Sequence, residues 1–533
     1  MTPPVPAPFA RRSFLAGLGA IGAGALLAAC SEGTSGSSDA APAAPTPHPG
    51  PPTTGTPVRG GTLRVGVLSG GSAEVLDPAK ASAWPDWPRI RALYDPLFRT
   101  VPGGIEPALA ESAEAEDTAA SWVFRLRRGV EWHDGRPFTA DDVLYTLGLW
   151  AGEGHNYGPT AQAVIDFAGV RKLDSHTVRI PLLRPMAEFP SLTANFNALI
   201  VQDGATDFER PVGTGAFAYA SFEPGRSSTF TAHRDHWGGE GRHVDELVFD
   251  SSFTDDAARA NALRSGALDI VSDLSYTQAA ILADDGDVVI GNSPGMAFQA
   301  FVMQVDQPPF DDVRVRQALK LLVDRPAMVS QTLAGYGTVG NDLVGKTLPH
   351  YAEDLTRERD VERARSLLRE AGHEGLRLTL ATNTGRVGFV EAATLFAQQA
   401  AEGGVEISVR KIDPGQWDAQ RANEPLNMAS WAGSASLTYF YATALGGDAR
   451  NSETHWPAER GRDLLADAMG ELDEAAAEEK WRAVQRQQFD EGGYIVFANR
   501  NYVDGYAPAV RGVTTDASGS TNNYDYSRAW LAS

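Results

Sequence analysis

The residue whose position alone specifies chemistry is Cys30, the single cysteine of 533 residues. It closes Leu27-Ala28-Ala29-Cys30, which resembles a bacterial lipobox. Cleavage before Cys30 would leave its thiol for a diacylglyceryl group and its new amine for a further acyl chain. Two or more chains anchor a protein stably where one is marginal. A lone cysteine also removes any intramolecular disulfide and any cysteine-based zinc site. Upstream, Arg11-Arg12-Ser13-Phe14-Leu15 leads into a small, apolar run ending at Ala29. This is the pattern of a twin-arginine export signal, an address read by a receptor and not a fold element. Ala10 stands where Ser or Thr is usual, so ordinary secretory export is the alternative route. Gly17, Gly19 and Gly22 spell GxGxxG inside this run. A dinucleotide site needs a strand before those glycines and an amphipathic helix after them. Here arginines precede and a cleavage motif follows, so the glycines belong to the signal.

Other groupings could in principle do chemistry, and each has a plainer reading. His133-Asp134-Gly135 looks like a catalytic pair, but Asp-Gly is a strong turn signal. His233, His236 and His243 could suggest a metal, yet they flank Trp237-Gly-Gly and no carboxylate pattern completes a ligand set. Asp141-Asp142 and Asp311-Asp312 suit helix N-termini, where carboxylates favour the dipole. There is no GxSxG, no HExxH and no cysteine nucleophile, which argues against a secreted hydrolase. No metal, cofactor or catalytic residue is therefore expected. The formal net charge of −22 argues against a nucleic-acid partner, since a phosphate-binding surface needs excess Lys and Arg.

The elements that hold these residues follow from periodicity. Residues 31–57 are Ser, Gly, Ala, Pro and Thr with almost no large apolar side chain, the composition of a flexible tether. Random-coil scaling gives it a span of roughly 30 Å. Beyond it, Leu63, Val65 and Val67 alternate with polar neighbours as a strand. Ser121 to Gly135 reads as a hairpin with Trp122, Phe124 and Leu126 on one face. Thr139 caps a helix, with Asp142 completing a capping box and Val143, Leu144 and Leu147 as its buried stripe. Thr254 is expected to start a helix that runs to Leu263 and stops at Gly266, followed by a strand from Leu268. Asp311 or Asp312 opens another, with Val315, Leu319, Leu322 and Val323 on one face, interrupted at Pro326. Asp360 to Ala371 is amphipathic and closed by Gly372. Strands from Leu376 and Val405, with a helix near 388–402 between them, imply a parallel pair. The class is α/β, without an internal repeat, and the length calls for two or three domains.

Several segments, in order, resemble the bacterial extracellular solute-binding proteins of family 5, the dipeptide-, oligopeptide- and nickel-binding components of ABC importers. They are Gly60-Gly-Thr-Leu-Arg-Val with Leu76-Asp-Pro-Ala, Leu93-Tyr-Asp-Pro-Leu-Phe, and Trp122 to Val143. Then come Val212-Gly-Thr-Gly-Ala-Phe, Trp237-Gly-Gly with Val244-Asp-Glu-Leu-Val-Phe, and Pro309-Phe-Asp-Asp-Val-Arg-Val-Arg-Gln-Ala-Leu. The resemblance covers nearly the whole chain after the leader. It implies a two-lobed periplasmic-binding-protein fold of type II, with an extra subdomain in the first lobe and a two-strand hinge. The expected layout is a signal peptide over 1–29, the lipidated cysteine and tether over 30–57, and a first lobe from 58–97, 210–290 and 500–533. The extra subdomain takes 98–209 and the second lobe 297–498. The hinge strands are expected at Met296 to Met303 and Tyr494 to Arg500.

The resemblance further implies a monomeric, non-enzymatic receptor outside the cytoplasm, held by Cys30 on the outer face of the membrane or in the periplasm. Its partners would be a small ligand (peptide-like, sugar or chelate) and a membrane permease. A sensor or scaffold lipoprotein of the same fold is the alternative. Peptide-binding members meet the ligand's ammonium with an aspartate after a Trp- and Gly-containing strand end. Here that stretch is Trp431-Ala432-Gly433-Ser434, with Ser434 at the aspartate position and Asp448 as a substitute on a nearby loop. Candidate pocket residues are Trp84 and Trp87 from the first lobe, and Trp417, Trp431, Ser434, Tyr439 and Tyr441 from the second, with Phe440 and Trp456 nearby. Asn499 and Arg500 end a hinge strand and are expected to meet a ligand carbonyl or carboxylate.

Overall fold

The computed structural model describes residues 50–533 except 53, 102–103, 117, 240, 284, 294, 385, 387, 414–415, 434–435, 446–451, 458, 515–523 and 533. The export signal, Cys30, most of the tether, Ser434 and Asp448 lie outside the described residues.

Leu63 and Val65 are fully buried and Val67 nearly so, which places the Thr62–Leu68 strand inside a sheet. It lies fourth in seven strands, ordered Val289–Ser293, Tyr502–Tyr506, Ile270–Val271, Thr62–Leu68, Glu246–Phe253, Ser227–Ala232 and Phe217–Glu223. It runs parallel to both neighbours, while the other pairs are antiparallel. The connection that follows it is pinned by buried charge. Arg89 Nη1 donates to Glu74 Oε2 at 2.7 Å, and its other nitrogens reach Ser228 and Ser251 at 2.9 and 2.8 Å. The Asp86 carboxylate accepts from the backbone of Val75, Ser82 and Ala83 at 3.0 to 3.1 Å. Trp84 therefore sits on a fixed loop, while Trp87, expected on the same loop, lies in the first turn of the helix Asp86–Leu93.

A second, antiparallel sheet orders Ala110–Glu116, Ser121–Leu126, Thr177–Pro181 and Arg171–Asp174. Trp122, Phe124 and Leu126 share its buried face. The helix Ala140–Ala151 backs it, and Thr139 and Asp142 form the capping box expected from sequence. The expected hairpin from Ser121 to Gly135 is corrected here. Ser121–Leu126 pairs with Ala110–Glu116 and Thr177–Pro181, not with its own continuation. Gly129, in the left-handed region at φ 71°, turns the chain away, and Asp134-Gly135 closes only a small loop bridged at Glu131 and Pro137.

A third sheet orders Gly337–Val339, Tyr494–Arg500, Phe298–Met303 and Leu426–Trp431, all antiparallel. Beside it Arg377–Asn383 and Glu406–Ile412 pair in parallel with the helix Phe389–Glu402 between them, as the sequence order implies. Phe301, Phe497 and Phe396 pack on one face of the third sheet and Val302, Val496 and Trp481 on the other. Asp312 and Asp360 cap the helices Val313–Leu322 and Val361–Glu370. The helix Asp256–Arg264 is capped by Asp255 instead of Thr254, because the Asp255 carboxylate accepts from Ala258 N.

The chain crosses between the first and third sheets twice, after Ser293 and between Arg500 and Tyr502. The crossings are tied together. Arg500 N donates to Ala297 O at 2.8 Å, and Asn501 Nδ2 donates to Asn292 Oδ1 at 2.8 Å. A Cβ on Gly295 would stand 1.7 Å from Arg500 O, so only glycine lets the two segments approach this closely.

Candidate functional site

Ligands of open α/β folds gather at the carboxyl ends of strands. Three such ends converge on the crossing. The Thr62–Leu68 strand leads to Trp84 and Trp87, Ile270–Val271 leads to Asp273, and Leu426–Trp431 leads to Gly433. Arg500 stands among them. Its guanidinium lies 4.7 Å over the Tyr502 ring and 3.7 Å from the Asp273 carboxylate, and it hydrogen-bonds Tyr276.

Asp273 holds a left-handed backbone at φ 52°, a conformation Asp tolerates better than most residues. Its N–H donates to Asp504 Oδ1 at 2.8 Å, and Arg259 binds the carbonyls of Ser272 and Asp273 at 2.7 and 3.1 Å. These contacts hold the segment beside Arg500, where burial pushes the Asp273 pKa up against the opposing pull of Arg500. From the far side, Gly433 makes a backbone hydrogen bond to Tyr502. Trp84 meets Tyr524 edge-on at 6.2 Å, and Trp87 meets Phe196 at 4.8 Å.

Asn499 is fully buried, and neither its Oδ1 nor its Nδ2 has a partner. A buried amide with no partner costs about 1–3 kcal/mol, so its presence calls for an explanation. It shares a cross-strand row with Phe298 and Trp431. The Trp431 indole donates to Glu453 at 3.1 Å, which fixes the ring at the strand end. Tyr439 packs against two hydrophobic cores, one around Phe124 and Trp150 and one around Phe298 and Trp481, and hydrogen-bonds Asn195.

Other expected pocket residues lie elsewhere. Trp417 is 4% exposed and sits in the hydrophobic core that also holds Phe301 and Phe396, edge-on to Phe389 at 6.1 Å. Its four-residue helix carries it under the 389–402 helix and away from the crossing. Tyr441 and Phe440 are likewise core, packed on Trp481 at 5.4 Å and Phe298 at 5.7 Å. Trp456 is buried and donates to Arg460 O at 2.8 Å. Sequence reasoning missed Asp273, Tyr276, Tyr502 and Tyr524. For Asp273 the usable signal was its place just after a strand. For the tyrosines there was none.

A second set of contacts joins residues 187–188, beyond the second sheet, to residues beyond the Leu426–Trp431 strand. The Glu188 carboxylate accepts from Thr438 Oγ1 at 2.6 Å and Thr438 N at 3.3 Å, and burial raises its pKa. Ala187 N donates to Met469 O at 2.7 Å.

The histidines do no chemistry of this kind. His133 Nε2 donates to Gly215 O at 2.9 Å while Nδ1 accepts from Gly213 N at 3.1 Å. That arrangement fixes the neutral tautomer, and burial lowers its pKa to about 4. His233 meets it edge-on and His236 meets His233 edge-on in turn, with His236 Nε2 3.4 Å from Asp95. Among the described residues no group of three or more His, Cys, Asp or Glu is placed to hold a metal ion.

Residues 104–453 match the family model described as "Bacterial extracellular solute-binding proteins, family 5 Middle". The chain is 29% identical over 297 residues to heme-binding protein A of Haemophilus influenzae, covering 50% of this chain and 54% of that protein. It is 26% identical over 459 residues to di/tripeptide-binding protein 1 of Pseudomonas aeruginosa, covering 78% and 85%. Among solved structures, the periplasmic binding protein DppA of Helicobacter pylori in complex with peptide STSA superposes with a TM-score of 0.76 at 21% identity. That match covers 89% of this chain and 99% of DppA.

Proposed function

This chain belongs to the bacterial extracellular solute-binding proteins of family 5, and from that premise we propose that its cargo is peptide-like and held at the strand crossing. It is a solute-binding protein of an ABC importer and not an enzyme. The observation that carries the cargo assignment is the Arg500–Asp273 pair, which offers one fixed cation and one fixed carboxylate beside Tyr502, with Tyr524 and its edge-on partner Trp84 nearby. Aromatic walls with a few placed polar groups fit a short peptide backbone with its side chains. Asn499 adds an amide whose donor and acceptor are both unspent, matching the two groups of a peptide bond. The names of relatives that bind di- and tripeptides support the class. Mass spectrometry of ligand released from freshly purified protein tests it. Recovery of a peptide or modified peptide supports the reading, and recovery of a sugar or metal chelate alone overturns it.

Two lobes that close on the cargo give it full burial, which one-sided binding would not. The boundaries proposed for them are 58–97, 210–290 and 500–533 for the first lobe, 98–209 for its extra subdomain, and 297–498 for the second lobe. The Glu188–Thr438 contact then acts as a clasp in the closed form. Glu188→Ala should cost closure about 1 kcal/mol, reducing the closed-to-open ratio roughly five-fold. Small-angle scattering with saturating cargo should show a larger mean radius for Glu188→Ala than for the parent. Equal radii, with Glu188→Gln also equal, would remove the clasp from the account.

We also propose that Cys30 is lipidated and holds the protein on the outer face of the membrane. Among the described residues no helix is long and apolar enough to span a bilayer. Cys30→Ala should move the exported protein from the membrane fraction to the soluble fraction. Retention after a high-salt wash would mean another anchor. Replacing Arg11 and Arg12 with Lys tests the route separately, since undiminished export argues against the twin-arginine pathway.

A further inference from the structure

A cavity of about 270 Å³ lies between residues 163–186 and residues 441–488, and none of the residues placed at the crossing lines it. Val164 and Met186 wall it on one side, and Leu445, Trp456 and Val484 on the other. The two sides touch along its rim, where Ala187 N donates to Met469 O at 2.7 Å and a Cβ on Gly470 would lie 3.1 Å from Pro185 Cβ. Val164, Trp456 and Val484 are buried, whereas Leu183 and Ala466, which also line it, are exposed and mark its mouth. The charges at the wall are already spent. Arg460 is ion-paired with Glu491 and lies 5.2 Å over the Trp456 ring, and Arg184 and Arg462 have partners of their own. Among the described residues no acidic side chain lines the cavity. The polar groups left to it are uncharged. A Cβ on Gly461 would collide with Gln487 Oε1, so the half-buried Gln487 amide lies over that glycine, and both line the cavity.

We propose that this cavity is a second binding site, for a small neutral amphiphile with a hydrocarbon body and one uncharged polar head. The apolar walls take the body. Met186 and Met469, unbranched and adaptable, let the wall fit more than one shape. The Gln487 amide offers a donor and an acceptor to the head. A charged head of either sign would meet no counter-charge that is not already paired, and would lose its hydration without compensation. That is the reverse of the crossing, where Arg500 and Asp273 suit a charged cargo. An engineered cavity of about 150 Å³ takes up benzene, so this one has room for an aromatic ring with a short chain. The site stands on its own walls and does not rest on the cargo being a peptide.

Calorimetry on the full chain with 4-phenylbutan-1-ol, 4-phenylbutyrate and 4-phenylbutylamine tests it. The alcohol should bind saturably, and the acid and the amine each at least roughly ten-fold more weakly. Ala466→Trp, at an exposed position, fills the mouth and should abolish binding of the alcohol, while Ala466→Ser should keep it. Gln487→Leu should weaken the alcohol roughly five-fold. Arg462→Gln should change nothing, and Arg500→Met should leave the affinity for the alcohol within about three-fold. No saturable binding, or an acid or amine that binds as tightly as the alcohol, overturns the proposal. So does an unchanged affinity in Ala466→Trp or in Gln487→Leu. Loss of the alcohol in Arg500→Met also overturns it, because the probe would then occupy the crossing. Failure to recover a peptide cargo would leave these outcomes intact.

Discussion

Arg500→Met should weaken cargo binding by roughly a hundred-fold, because it removes one partner of a partly buried charge pair whose other partner stays in place. Arg500 lies over Tyr502 and bridges to Asp273 and Tyr276, so its removal exposes a desolvated carboxylate to the arriving cargo. Methionine retains much of the side-chain bulk, so the ring contact with Tyr502 is kept in volume though not in charge. The pH dependence has a definite sign. Burial already raises the Asp273 pKa, and loss of Arg500 removes the opposing pull, so it rises further. Acid neutralises the orphaned carboxylate. The defect should therefore be largest at pH 8 and shrink towards pH 5, while Arg500→Met, Asp273→Asn should show little pH dependence. Calorimetry with the released cargo at three pH values measures this. A single variant that binds within three-fold of the parent at pH 8 would take Arg500 out of the site.

Arg500 was legible because it ends a hinge strand that the family resemblance implied. Asp273 was not, because its placement depends on pairings remote in sequence, such as its hydrogen bond with Asp504, 231 residues on. The same contrast runs through the fold. Local signals were reliable where one short segment satisfies itself, as in the Thr139–Asp142 capping box and the parallel pair around the 389–402 helix. They failed where a tertiary partner decides. The strand from Ser121 had two better partners than the hairpin its own sequence suggested. Trp417, Trp431 and Tyr441 are aromatic residues close together in sequence around the Leu426–Trp431 strand. One fills a core, one marks the crossing, and one lines a separate cavity. Residue type alone does not separate these fates, because burying aromatic area is equally favourable in each.

Ser434→Asp should reverse the preference between free and blocked peptide amino termini. The position follows Gly433 in sequence, and Gly433 makes a backbone hydrogen bond to Tyr502. Ser434 itself lies outside the described residues, and its role is proposed from the resemblance. A serine hydroxyl accepts a hydrogen bond but carries no charge, and a buried ammonium without a carboxylate incurs much of its desolvation cost. The parent should accordingly favour N-acetylated peptides over their free-amine twins. A charge-assisted bond contributes about 1.5–3 kcal/mol, so Ser434→Asp should improve free-amine peptides by roughly ten- to a hundred-fold and leave acetylated ones unimproved. Asp273 supplies a competing explanation, since its carboxylate also lies at the crossing, 3.7 Å from Arg500. If the parent binds free dipeptides tightly and acetylation abolishes that binding, the charge is supplied from elsewhere. Asp273→Asn and Asp448→Asn then decide between the two carboxylates, because only loss of the true partner should remove the penalty for acetylation.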